Sequence, residues 1–112
     1  MSSHEVIFNV SGHSIDIDII GTDKLEAFNA ADIKRDLTRL VNRDRTYYTL
    51  NLENLDFIDS LGLGVLVSLL KRIKTANGHL VIKGVNPQVK KLLELTQLTN
   101  VFHIEKPALS QK

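Results

Sequence analysis

The stretch Asp59-Ser60-Leu61-Gly62-Leu63-Gly64 sets a carboxylate, a hydroxyl and two glycines side by side. A serine in such company can be a nucleophile, a helix cap or part of a backbone cradle for an anion. Nucleophilic catalysis needs a general base steered by a third group. His4, His13, His79 and His103 are scattered without that pattern, no G-x-S-x-G elbow surrounds Ser60, and the histidines read as solvated strand or terminal residues. A phosphate cradle of the P-loop kind needs Lys followed by Ser or Thr after its last glycine. Lys71 and Arg72 come too late for that, and Asp56 and Asp59 would repel the phosphate. No carboxylate pair has the surroundings of a glycosidase or a two-metal site, and no histidine has metal-ligand spacing. The residues therefore predict no catalytic group, no metal and no cofactor.

A plainer role remains. Ser60 stands where a helix N-cap is wanted, and Gly62 and Gly64 fall in the first turns of the helix that follows. Glycine in a helix interior costs up to about 1 kcal/mol relative to Ala, so a pair of them predicts close backbone approach. Leu63, Leu66, Leu70 and Ile73 make a core-facing stripe, while Leu61, Val65 and Leu69 add apolar area on other sides. That extra area is either a partner surface or is covered by neighbouring helices, and the pattern leaves both open.

Elements positioning this stretch follow from periodicity. Val6, Phe8 and Val10 alternate with Ile7, Asn9 and Ser11; after a turn at Ser11-Gly12, Ile15-Asp16-Ile17-Asp18-Ile19-Ile20 predicts a second strand with its isoleucines inward. An amphipathic helix is predicted over 29–43, with Asn29 as N-cap and Ala30, Ile33, Leu37, Leu40 and Val41 on its apolar face. Strand 46–52, helix 61–75 closed by Asn77-Gly78, strand 80–85, a helix capped by Asn86 with Pro87 at its first position, and a short strand 101–104 follow. In that last helix Val89, Leu92, Leu93 and Thr96 turn inward. The expected fold is α/β, a mixed β-sheet covered by α-helices in the order β-β-α-β-α-β-α-β, as one domain over 1–112 with a polar tail from about 106.

The 112 residues, 43% hydrophobic, suffice for one core without crosslinks, and with no cysteine none is available. A formal net charge of +1 argues against a broad footprint for nucleic acid or membrane, and 5% aromatics against stacking platforms. Lacking a secretion signal or an apolar run of bilayer length, the chain is expected in the cytoplasm.

The run from Leu50 through Asp56-Phe57-Ile58-Asp59-Ser60-Leu61-Gly62-Leu63-Gly64 to Leu66 resembles the central signature of STAS domains of the bacterial anti-sigma-factor antagonist type. Gly21 with the run from Leu25 to Ile33, and Asn86-Pro87 through Leu93 with Leu98, are similar to two further parts of that family. The resemblance implies a STAS domain without catalytic activity of its own. It implies Ser60 as phosphoacceptor for a GHKL-type serine kinase that is also an anti-sigma factor, with a PP2C-type phosphatase reversing the modification. Asp23, Glu26, Asn29, Asp59, Ser60, Leu61, Gly62, Leu63 and Gly64 would form the partner-binding region, binding when unphosphorylated and releasing when phosphorylated. Two departures bear on the partner: Leu61 stands where many relatives carry Ser, Thr or Ala, and Glu26 where Asp is usual, two residues farther from Gly21. The alternative is a constitutive STAS subunit of a lipid-transport or scaffold complex, in which Ser60 only caps.

Overall fold

The computed structural model describes residues 4–97 and 102–105. The main sheet is built from β1 (Glu5–Ser11), β2 (Ser14–Ile20), β4 (Tyr47–Asn51), β6 (His79–Lys83) and β7 (His103–Ile104), in the spatial order β1-β2-β4-β6-β7. β1 and β2 are antiparallel, and the other neighbours run parallel. Two-residue strands β3 (Lys24–Leu25) and β5 (Phe57–Ile58) pair in parallel as a separate small sheet. Helices α1 (Ala30–Thr38), α2 (Ser60–Thr75) and α3 (Pro87–Leu95) complete the described elements.

Register explains the core. Ile15 and Ile17 of β2 sit beside Tyr48 and Leu50 of β4, which sit beside Leu80 and Ile82 of β6. All six are buried, together with Ile33 and Leu37 of α1, Leu66, Leu69 and Ile73 of α2, and Val89 and Leu93 of α3. The Tyr48 hydroxyl, taken into this interior, donates to the Asn42 carbonyl at 2.9 Å and accepts from its amide at 3.1 Å, which removes the penalty of burying it. Among the described residues the helices pack on this face, and the opposite face carries exposed Asp16 and Tyr47 and half-buried Thr49 and Val81, in keeping with a second strand whose isoleucines point inward.

Edge position changes β1 as well. Val6, Phe8 and Val10 pair with Ile19, Ile17 and Ile15 and so share their face, yet Phe8 and Val10 are 53% and 43% exposed. Its turn is the Gly12-His13 pair between Ser11 and Ser14, with Gly12 at φ 60°, a left-handed backbone that glycine adopts freely. His4, expected to be solvated, instead meets Asp36 of α1 with Nε2 2.7 Å from Oδ2 and its side chain only 6% exposed, tying the start of β1 to that helix.

Element ends shift by local hydrogen bonding. The helix expected over 29–43 stops at Thr38, because Leu40 and Val41 bond the carbonyls three residues back and tighten the chain out of α geometry. At the end of α2, Asn77 takes φ 63° and the Gly78 amide returns to the Ile73 carbonyl at 2.8 Å. Asn86 caps α3 as expected, its Oδ1 accepting from the Val89 amide at 2.9 Å with Pro87 in the first turn. Thr96 is exposed rather than inward, its hydroxyl donating to the Leu92 carbonyl. Leu98, Val101 and the tail from 106 lie outside the described residues.

Candidate functional site

The N-terminus of α2 is where β3, β5 and the loop before α1 meet, and Asp59 joins them. Its Oδ1 accepts from the Gly62 amide at 2.8 Å, which makes it the N-cap of α2, and its Oδ2 accepts from the Ala27 amide at 2.8 Å. The Asp59 amide donates to the Leu25 carbonyl, and its own carbonyl accepts from the Leu63 amide. Four bonds thus lock one residue to three segments. They also hold its carboxyl below the ordinary carboxylate range: the Gly62 amide lowers it most, the Ala27 and Leu61 amides add to that, and partial burial opposes them.

This arrangement corrects the expected cap. Ser60 is not the N-cap but the first residue of the helix, and its side chain is exposed. Asp59 wins the cap position because its extended backbone, φ −100° and ψ −173°, aims a charged acceptor at the helix amides, where negative charge is favoured. Ser60 is left with a hydroxyl in solvent.

The glycines divide. A Cβ on Gly62 would overlap the Leu25 carbonyl oxygen and lie 3.0 Å from the Ile58 side chain, so close backbone approach is real there. Gly64 is exposed, and a Cβ on it would meet nothing within 4 Å. Its lack of a side chain serves no packing inside the protein. Among the apolar residues expected off the main stripe of α2, Val65 and Leu69 are buried, because the helix lies against both the sheet and α1, while Leu61 is 57% exposed.

The remaining expected site residues fall into two groups. Asn29 is 5% exposed and caps no helix amide. Its Oδ1 accepts from the Glu26 amide at 3.0 Å and its Nδ2 donates to the Lys24 carbonyl at 2.9 Å, bracing the loop that Asp59 holds from the other side. Gly62 and Leu63 are buried beneath the surface with it. Asp23 is exposed, and its carbonyl accepts from the Asp56 and Phe57 amides; half-buried Glu26 accepts through its carbonyl from Asn29 and Ala30. Asp56 accepts from the Asn86 amide group at 3.2 Å, joining the cap of α3 to the same corner.

Periodicity does not single out two exposed aromatic residues at this corner. Phe28, in the loop held by Asp59 and Asn29, is 76% exposed, and Phe57, beside Lys24 in the small sheet, is 46% exposed. Both lie in segments too short to show a period. With Leu61 they are exposed apolar residues on the segments that meet at Asp59, which also bring Asp23, Glu26 and Asp56. Among the described residues no group of three or more His, Cys, Asp or Glu is placed to hold a metal, and no helix is long and apolar enough to cross a membrane.

Comparison with known proteins agrees with this architecture. The STAS domain family matches residues 16–107. The anti-sigma-B factor antagonist of Staphylococcus aureus is 30% identical over 81 residues, spanning 72% of this chain and 75% of that one. Among solved structures, an anti-sigma-factor antagonist (STAS) domain protein from Planctomyces limnophilus superposes with a TM-score of 0.80 at 19% identity, over 91% of this chain and 90% of the other. The Bacillus cell fate determinant SpoIIAA in its phosphorylated form does so with a TM-score of 0.64 at 17% identity, over 91% and 92%. The mixed sheet and the described helices are therefore those of a member of the STAS domain family, and the chain belongs to its anti-sigma-factor antagonists.

Proposed function

We propose that this protein is a partner switch whose state is set by phosphorylation of Ser60. Unphosphorylated, it binds an anti-sigma factor that is also a GHKL-type serine kinase; phosphorylated, it lets go, and a PP2C-type phosphatase restores binding. In the modification the Ser60 Oγ forms the new bond to the γ-phosphorus of ATP held by the partner, ADP leaves, and the hydroxyl proton passes to a base of the kinase. The chain contributes the acceptor and a docking surface in the cytoplasm, and no catalytic step.

The observation that carries this reading is an exposed serine at the first position of a helix, followed by exposed Leu61, with exposed Phe57 three residues before the serine and exposed Phe28 next to Ala27, whose amide donates to Asp59. Apolar side chains of that size, left in solvent, suit a surface that a partner covers. A phosphate there adds roughly −1.5 to −2 charges. The amides of the first turn do not simply absorb it, because Asp59 already occupies the Gly62 amide with a carboxylate held ionised. In an interface the phosphate would be desolvated next to Asp59, and a loss of about 3 kcal/mol lowers affinity more than a hundredfold.

Incubation with the cognate kinase and ATP, followed by mapping of the modified residue, tests the assignment. Phosphate on Ser60 and weakened kinase binding by Ser60→Asp are the expected results. Phosphate elsewhere, or undiminished binding by Ser60→Asp, would count against it.

A further inference from the structure

At the other end of α2, a groove of about 610 Å3 runs between that helix and the last turn of α1 with the loop beyond it. Lys34, Arg43, Lys71 and Arg72 line it with exposed side chains, around half-buried Val41 and Ala76. No aspartate or glutamate lines it. Nor does any of the four cationic side chains make an ion pair among the described residues, where Asp32 and Asp36 of α1 are taken by Arg35 and His4.

Helix dipoles account for part of this only. A cation in the last turn of a helix complements the negative end, and that explains Arg72 and its neighbour Lys74. Lys34 sits in the middle of α1, and Arg43 lies beyond its end, so neither gains from a helix terminus. Four cations without an ion-pair partner around one groove give it a positive potential, which favours an anionic occupant. The Asn42 side chain adds to the polarity: its Oδ1 already accepts from the Asp44 amide, which leaves the NH2 to donate. Shape narrows the occupant further. The groove is open to solvent along two helices rather than closed around a small molecule, and its half-buried carbons offer contact to aliphatic stems.

We propose that this groove binds an acidic segment of a partner protein, its carboxylates meeting Lys34, Arg43, Lys71 and Arg72 while its aliphatic carbons lie on Val41 and Ala76. The binding needs no phosphate on Ser60, and the two sites stand or fall separately.

A fluorescent poly-glutamate peptide titrated into the full chain, followed by anisotropy at low and at physiological salt, provides the test. The wild-type protein binds, and binding weakens as salt rises. Lys71→Glu with Arg72→Glu lowers affinity by about tenfold or more, whereas the equal charge change Lys90→Glu with Lys91→Glu, on exposed positions of α3, alters it less than about twofold. Thermal melting checks that each variant folds, and Lys71→Gln with Arg72→Gln replaces the reversal if it does not. Equal losses from the two pairs, or no binding at low salt, would overturn the proposal. So would tight binding of inorganic tripolyphosphate that Lys71→Glu with Arg72→Glu abolishes while poly-glutamate does not compete, since the groove would then serve a phosphorylated ligand.

Discussion

The two ends of α2 share a buried stripe and little else. At the N-terminal end the helix is held against backbone: Gly62 meets the Leu25 carbonyl, Asp59 bonds three segments, and exposed Leu61, Phe28 and Phe57 stand among carboxylates, Lys24 and the Ser60 hydroxyl. At the C-terminal end the Gly78 amide closes the helix on the Ile73 carbonyl, and the solvent face is cationic, with Lys71, Arg72 and Lys74. Tight backbone contact fixes the chain that carries Ser60, whereas long flexible cations suit a looser electrostatic contact.

Substitutions that exploit this contrast differ in size and in sign. The largest effect on stability is expected at the fixed end: Gly62→Ala forces a methyl into the Leu25 carbonyl and should destabilise by about 3 kcal/mol, near the top of the range for overpacking. Denaturant unfolding measures it. Gly64→Ala, two residues on, should go the other way, stabilising by roughly 0.5–1 kcal/mol because a Cβ there meets open space and alanine favours the helix. If the missing side chain at Gly64 admits a partner, the same variant binds the kinase more weakly while melting higher. A loss of stability in Gly64→Ala would break the contrast.

Asp59→Ala removes the cap and should lower the melting temperature, by less than Gly62→Ala does. Its charge has a pH signature. Because the folded state lowers the Asp59 carboxyl below its unfolded value, the stabilisation is fully present above the ordinary carboxylate range and is lost as pH falls through the folded value. Asp59→Asn should therefore narrow its stability gap to the wild type as acid is added, and a gap constant from neutral to acid pH would refute the role given to the carboxylate. The smallest effect belongs to the cationic end: Lys71→Ala with Arg72→Ala should shift stability by less than about 0.5 kcal/mol, as expected of exposed positions.

What the sequence made legible follows the same division. Strands β2, β4 and β6 alternate cleanly because one face is buried, and their helices repeat at the period of a half-buried cylinder, so the layered α/β order is visible in the pattern. Strands β3 and β5 are two residues long and carry no period, yet their pairing sets the loop beside Ser60. The same shortness hid Phe28 and Phe57. At Asp59-Ser60 both residues are good caps by type, and only the extended backbone of Asp59 and its second bond to Ala27, distant in sequence, decide between them. The two glycines look alike in the chain and differ only in what stands opposite. The groove cations, drawn from α1, a loop and α2, come together only through helix packing.

The central claim is that the hydroxyl at the fixed end of α2 controls partner binding. Its most direct test is the affinity of the cognate anti-sigma-factor kinase for this protein before and after stoichiometric phosphorylation of Ser60, compared by titration calorimetry under one set of conditions. A fall of more than about a hundredfold on phosphorylation is predicted, and equal affinities for the two forms would contradict the account.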